Sequence, residues 1–272
     1  MHEDVIAAVV DEITTAVLEA LARGDAPTPE SLRLLLRGYA TTGRDEFRAA
    51  IEPGLAQALE LAADSSSEAA PRWLVLFAEA ADASDDPRLL EAASDLATKA
   101  RMNWGGAQPI DASAASVDAC LRALPLLGVD SARGSIDELE RLVAASYEPG
   151  SGIGGTVDDE ITVASALLTA FGVTDRLPYA MLAEELVRHA RAELLNSSAV
   201  PFSTACGAAS ALSRMAALHQ VTEYRSAAVI APDADYARDA VCLLERAAHN
   251  QQTFGLAAAG YALAAGELQS AF

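Results

Sequence analysis

Residues 39–51 read YATTGRDEFRAAI. An apolar helical pattern runs into Thr-Thr-Gly, and a new one starts at once with Asp45, Glu46 and Phe47. Glycine readily takes the left-handed conformation that ends a helix, and acids favour the first turn of the next. The stretch reads as the tight bend of a helical hairpin. The same grammar returns as ADASDDPRLLEAA at 81–93, LLGVDSARGSIDEL at 126–139 and AFGVTDRLPYAMLAEEL at 170–186. A fifth bend, LHQVTEYRSAAVIAPDADYARDA at 218–240, holds an insertion of about a dozen residues. The first four bends are about 42 to 45 residues apart, the length of a hairpin with its loops.

Between the bends, apolar residues recur at i, i+3, i+4 and i+7, and almost no segment alternates with period two. Thr28 before Pro29 and Asp86 before Pro87 are helix-start signals. The pattern predicts twelve helices, at approximately 2–23, 28–42, 44–63, 67–82, 85–102, 111–127, 132–146, 157–171, 176–195, 202–218, 233–249 and 251–267. Five hairpins fill 28–249, leaving one helix at each end. The first reads as the second member of a hairpin and the last as a first member, so their pairing would close a ring of six hairpins. Closure covers the faces that open repeat arrays must cap. First members such as ACGAASALSRMAAL and ITVASALLTAFG are small and apolar, which suits an inner ring. Second members such as SIDELERLVAAS carry a charged face, which suits an outer one. The expectation is one all-α domain over residues 1–272.

Charge and composition exclude several function classes. The chain carries a net charge of −20, and Lys99 is its only lysine. Phosphate backbones repel such a surface, so no nucleic-acid partner is expected. Acidity with lysine depletion suits a halophilic, high-salt cytosol, and a GC-rich coding bias would also exchange Lys for Arg. No apolar run reaches membrane-spanning length, and the first helix carries acids within its apolar part, unlike a secretory signal. Cys120, Cys206 and Cys242 are widely spaced with no CxxC, as in a reducing compartment. A cytoplasmic location without membrane association is the expectation.

The hairpin pattern resembles the (α/α)6 toroid, or six-hairpin, superfamily. The phrase GYATTGRDEFRAAI is similar to those of N-acylglucosamine 2-epimerase-like proteins. The stretch 200–249 looks closest to the helical domain of their thioredoxin-fused relatives. Residues 1–272 depart from those relatives in showing no thioredoxin half and no CxxC. The YEPGSGIGG loop at 147–155 also resembles glycine-rich turns of prenyltransferase and squalene-cyclase toroids, but those follow the glycines with an aromatic where this chain has Ile153. The resemblance implies a site at the end formed by the loops leading from outer to inner helices. Those loops are the long, glycine-rich ones here, at 103–111 and 147–156.

Candidate residues cluster at that long-loop end. Trp73, Trp104 and Tyr147 could stack on a sugar ring or another flat ligand face, with Arg72, Asn103 and Gln251 as polar neighbours. The competing reading makes the aromatics plugs of the ring mouth. Asp158 and Asp159, with Asp111 as a distant partner, offer the paired carboxylates that glycosidase- or epimerase-like acid–base chemistry needs. Against this, Thr156 followed by Asp159 reads as a capping box, and first-turn acids complement the helix dipole. His249 is the histidine best placed for proton transfer, with C-terminal capping as its alternative. The glycines of GSGIGG lack the lysine of a phosphate loop and no strand precedes them, so they read as a turn. Cys206, Cys242 and His249 do not have zinc-site spacing, and Cys206 at an inner-helix start reads as a buried thiol. No metal or cofactor is expected.

Three functions remain open from sequence. One is a stand-alone toroid that binds or processes a carbohydrate-like small molecule. The second is a non-catalytic interaction module for a protein partner, derived from a fused thioredoxin/toroid protein. The third, an isoprenoid-handling toroid, ranks last: only 5% of the chain is aromatic and neither DxDD nor DDxxD occurs.

Overall fold

The computed structural model describes residues 2–84, 86–197, 199–249 and 251–271, and the side chains of all of these but 2–4, 251 and 252. It is all-helical, with six helices arranged inside six others. The inner helices are α2 (Pro29–Thr42), α4 (Ala70–Asp82), α6 (Ile110–Arg122), α9 (Val157–Thr174), α11 (Phe202–Gln220) and α14 (Ala259–Ser270). The outer ones are α1 (His2–Ala22), α3 (Asp45–Ala63), α5 (Pro87–Arg101), α8 (Val129–Ser146), α10 (Leu177–Asn196) and α13 (Tyr236–Ala248). Each inner helix packs against the next around the ring, and α14 returns to α2. Helix α1 pairs with α14 and lies between α13 and α3. The first and last helices thus close the ring, as the leftover pair in the sequence implied.

Composition sets the two rings apart. Residues on almost every side of α11 are buried, among them Ala205, Cys206, Ala208, Ala209, Ala211, Leu212 and Met215. A helix that must pack on all sides needs small side chains, hence its alanines and glycines. Glycine also lets one hairpin close up tightly. A Cβ on Gly54 would stand 2.6 Å from Leu32 Cδ2, at the α2–α3 contact.

The caps act as the sequence suggests. Thr28 and Ser31 form a capping box on α2, and Gly43 ends that helix at φ +66°. Asp86 accepts from the Arg88 N–H at the start of α5.

Two predicted helices differ in detail. The segment 111–127 breaks at Ala123 into α6 and the short α7 (Leu124–Leu127), because Pro125 supplies no N–H to continue the ladder. The last helix does not start at 251: a 3₁₀ segment over Gln251–Ala258 kinks at Gly255, whose φ is +53°, and α14 begins at Ala259.

The insertion in the fifth hairpin forms α12 (Thr222–Ala227) and a loop tied to one side chain. Glu184 of α10 is fully buried. It accepts from the hydroxyls of Tyr224 (2.7 Å) and Tyr236 (3.2 Å) and the N–H groups of Ile230 (2.9 Å) and Ala231 (3.0 Å), and meets His219 Nε2 at 2.9 Å. Burial alone would raise its pKa. The Ile230 N–H, the Tyr224 hydroxyl, the Ala231 N–H and His219 outweigh it and hold the carboxyl below the ordinary glutamate range.

Candidate functional site

The inner helices run in the same direction, so their N-terminal halves surround one end of the bore, where the long loops lie. A cavity of about 890 Å³ opens there. Its walls come from all six inner helices, with Arg33, Val75, Ala119, Thr162, Cys206 and Leu263 among the lining residues. Phe202 and Phe254 stack at its mouth with ring centroids 4.2 Å apart and planes 15° from parallel. Phe254 is 41% exposed. Opposite in sequence, the Arg72 guanidinium, 57% exposed, grips the Glu30 carboxylate with Nε–Oε1 2.7 Å and Nη2–Oε2 2.5 Å.

A belt of polar groups crosses the bore deeper down, and each inner helix contributes to it. Arg33 holds Glu79 through two hydrogen bonds of 3.0 and 2.7 Å, and Arg37 reaches the same carboxylate at 3.0 Å. Arg37 also lies 3.6 Å from Glu267, which accepts from the Ser210 hydroxyl. Arg122 Nε donates to Asp118 at 2.8 Å, and the Thr169 hydroxyl donates to the other Asp118 oxygen. Arg214 donates to the Ser165 carbonyl (3.1 Å) and hydroxyl (3.0 Å) and to the Thr169 hydroxyl (3.0 Å). Burial pushes the Asp118 carboxyl up, but Arg122, Arg214 and Thr169 together hold it below the usual aspartate range. The Cys206 thiol, buried in the cavity wall, is pushed up to about 12 by burial and is no nucleophile near neutral pH.

The sequence candidates fall at the expected end of the ring, but most do not face the bore. Arg72 lines the cavity mouth. Trp73 is buried and lies 6.3 Å from Phe77 on its own helix. The cavity face of α4 is Pro71, Arg72 and Val75, and Trp73 is rotated about 100° from Arg72. Trp104 lies under the Arg101 guanidinium, 5.7 Å from its centroid, and beside Gly134 of α8. Asn103 is buried and donates to the Ser67 carbonyl (2.7 Å) and the Ser116 hydroxyl (2.9 Å), which fastens its loop to the α3–α4 connection and to α6. Tyr147 is half-buried, and burial together with the Glu185 carboxylate of α10 raises its hydroxyl pKa. His249 caps α13, its Nδ1 at 3.0 Å from the Glu245 carbonyl. The Gln251 side chain lies outside the described residues.

The acid run behaves as three separate groups. Asp159 closes the capping box: its Oδ2 accepts from the Thr156 N–H and hydroxyl, both at 2.7 Å. Its Oδ1 accepts from the N–H of Asp111 at 3.1 Å, so it also ties α9 to the first turn of α6. Asp111 itself is exposed. Glu160 is buried on the outer side, with both oxygens 2.7 and 2.8 Å from His189 Nδ1 of α10. Asp158 is exposed and shares a helix face with Ile161, Thr162 and Ser165, which line the cavity. It stands one turn above them at the rim, and among the described residues its carboxylate has no hydrogen-bond or ion-pair partner. The glycines before it make a turn over Glu160. The Glu148 N–H donates to the Gly152 carbonyl at 2.8 Å, and Ile153 is buried beneath.

Reading by residue type missed Glu30, Asp118, Glu267, Phe202 and Phe254, all of which line the cavity. A signal for the belt was present. Inner helices interrupt their small apolar runs with polar residues four apart: Asp118 and Arg122, Ser165 and Thr169, Ser210 and Arg214. The described residues hold no cluster of His, Cys, Asp and Glu that could bind a metal ion. Nor is any described helix long and apolar enough to cross a membrane.

Ring order, closure and the site at the long-loop end define an (α/α)6 toroid. No protein-family model matches the sequence, and no curated protein matches it. Solved structures do match. An inactive variant of the GH76A alpha-1,6-mannanase of Salegentibacter sp. HEL1_6, altered at two consecutive aspartates and in complex with alpha-1,6-mannotetrose, superposes with a TM-score of 0.64 over 99% of this chain and 99% of that one, at 10% identity. The unaltered GH76A enzyme gives 0.62 over 96% and 99%, at 9% identity. At such identity the likeness establishes the toroid fold. It does not confirm the nearer resemblance to epimerase-like helical domains.

Proposed function

We propose that the chain binds a neutral oligosaccharide in the long-loop cavity. The observation that carries this reading is the make-up of that cavity. A stacked aromatic pair forms one side of the mouth, the Arg72–Glu30 pair another, and serine, threonine and arginine donors lie below. Sugars present apolar ring faces and many hydroxyls, and such a mixture satisfies both. The toroid likeness to an enzyme solved with alpha-1,6-mannotetrose supports it. An interaction module without a ligand would keep its mouth closed by apolar groups, whereas Phe254 and Arg72 stand exposed beside an open cavity.

Chemistry on the bound sugar would fall to Asp158. The carboxylates that line the cavity are engaged: Glu30 by Arg72 at the mouth and, deeper, Glu267 by Ser210 and Asp118 by Arg122 and Thr169, which hold it ionised. Acid–base work on a glycosidic bond needs a carboxyl group that can reach the sugar and is not tied up by a cation. Asp158 is the carboxylate on the cavity face that no cation holds. The mannanase compared above is inactive when two consecutive aspartates are replaced, and Asp158–Asp159 is a consecutive pair at an inner-helix start here.

Calorimetric titration with alpha-1,6-mannotetrose and with linear oligosaccharides of other linkages tests the reading. One ligand should bind per chain, and Phe254→Ala should weaken it about tenfold, the scale of one lost stacking contact. Absence of binding by every neutral oligosaccharide, or unchanged affinity in Phe254→Ala, would sink it.

A further inference from the structure

The belt divides the bore, and a second chamber of about 820 Å³ lies on its other side, at the short-turn end. Arg122 and Glu267 belong to the walls of both chambers, while Arg214 and Thr169 face the second. The rest of that lining is mostly apolar, with Leu121, Leu124, Pro125, Leu168 and Val173 around it. Val173 at the lip is 43% exposed.

The charges of the belt do not balance. Four guanidiniums, of Arg33, Arg37, Arg122 and Arg214, meet three carboxylates, of Glu79, Asp118 and Glu267. Arg33 and Arg37 share Glu79, and Arg122 has Asp118. Arg214 is the exception: among the described residues no carboxylate lies within 4.0 Å of it, and its hydrogen bonds go to a carbonyl and two hydroxyls. Burial, aided by Arg122, pulls its pKa down to about 10, and the more distant Asp118 and Glu267 offset only part of this. A desolvated cation without a counter-charge is costly, and a ligand that supplies the charge recovers that cost. In a chain of net charge −20, this is an unusual place to find a surplus cation.

We propose that the short-turn chamber is a second binding site, for a monocarboxylate with an unbranched apolar chain. The carboxylate sits on the Arg214 guanidinium, whose planar fork suits two oxygens. The hydrocarbon chain lies among Leu124, Leu168 and Val173 and leaves past the lip. Two properties of the chamber set the class: the cation selects the head group, and the apolar wall selects the tail. A sugar fits neither, so this site is separate from the long-loop cavity in ligand as well as in place.

The test is calorimetric titration of the full chain with octanoate, octanol and octylammonium at low salt. Octanoate should bind one to one, octanol at least about tenfold more weakly, and octylammonium not at all. Arg214→Gln should reduce octanoate affinity at least about tenfold and leave octanol unchanged. Val173→Glu adds a carboxylate at the exposed lip, and should also reduce octanoate affinity with the thermal melt unchanged. Phe254→Ala, at the opposite end of the bore, should leave octanoate binding intact. The proposal is overturned if octanoate and octanol bind alike, or if neither binds at millimolar concentration. It also falls if Phe254→Ala removes octanoate binding. If Arg214→Gln does not fold, Val173→Glu and the three head groups decide the matter alone. Unchanged octanoate affinity in Val173→Glu would then count against the site.

Discussion

Replacing Gly152 by alanine should cost far more than the same change at Gly154, two residues along the same loop. Both glycines have left-handed backbones, with φ of +75° and +65°. An alanine there pays about 1–2 kcal/mol for that conformation at either position. Their surroundings differ. A Cβ at Gly154 meets nothing within 4 Å. A Cβ at Gly152 would stand 2.1 Å from Glu160 Oε1, and 3.1 Å from both Glu160 Cδ and His189 Nδ1. Glu160 is 3% exposed, so its carboxylate has little room to retreat and must give up His189. Loss of a hydrogen bond to a charged group costs about 1.5–3 kcal/mol. Gly152→Ala should therefore destabilise by about 2.5–5 kcal/mol and Gly154→Ala by about 1–2, measured from urea unfolding at unchanged m. For a chain of this length the gap of about 1.5–3 kcal/mol corresponds to a melting difference of about 3–12 °C, at about 2–4 °C per kcal/mol. Equal losses at the two positions would refute the view that this loop exists to turn tightly over a buried carboxylate.

Further expectations follow from single residues. Glu184→Ala leaves two tyrosine hydroxyls and two backbone N–H groups without their acceptor, and should cost about 3–5 kcal/mol, with the 221–235 insertion losing protection from hydrogen exchange first. Because the folded pKa of Glu184 is depressed, its contribution is present above the unfolded value of about 4.3 and is lost as pH falls through the folded pKa. Glu184→Gln should flatten the acid side of the stability profile, and an unaltered profile would contradict the assignment. One thiol, Cys242, should react with an aromatic disulfide reagent in the native protein at pH 8, since Cys206 and Cys120 are buried with thiols pushed up to about 12 and about 11. Rapid labelling of two or three would refute that. Asp159→Ala should cost about 1–2 kcal/mol as a lost cap. Asp158→Ala should leave the unfolding free energy within about 0.5 kcal/mol and abolish any turnover of a bound sugar.

The ring was legible because each hairpin carries its own punctuation. Thr28, Gly43, Asp86 and Thr156 are local signals, and a helix with alanines on all sides can only be an inner one. The direction each side chain faces was not legible from residue type. Trp73 was expected at the mouth and is at the right height, but it points into the packing between helices, while its neighbour Arg72 points into the bore. One residue of helix separates a ligand contact from a core residue. The belt's polar pairs four apart stand in the sequence, but their partners on neighbouring helices could be matched only once the inner helices were placed at a common depth, since they lie from 42 residues apart, as in Arg37 with Glu79, to 57, as in Ser210 with Glu267. Gly255, which delays the start of α14 and brings Phe254 beside Phe202, has no sequence neighbour that announces a kink.

The central claim is that the long-loop cavity is an oligosaccharide site. Its most direct test is a crystal structure of the chain grown with alpha-1,6-mannotetrose. The account predicts sugar density between the Phe202–Phe254 pair and the Arg72–Glu30 pair, reaching toward Thr162 below the Asp158 carboxylate. An empty cavity at saturating ligand, or sugar bound only on the outer helices, would contradict it.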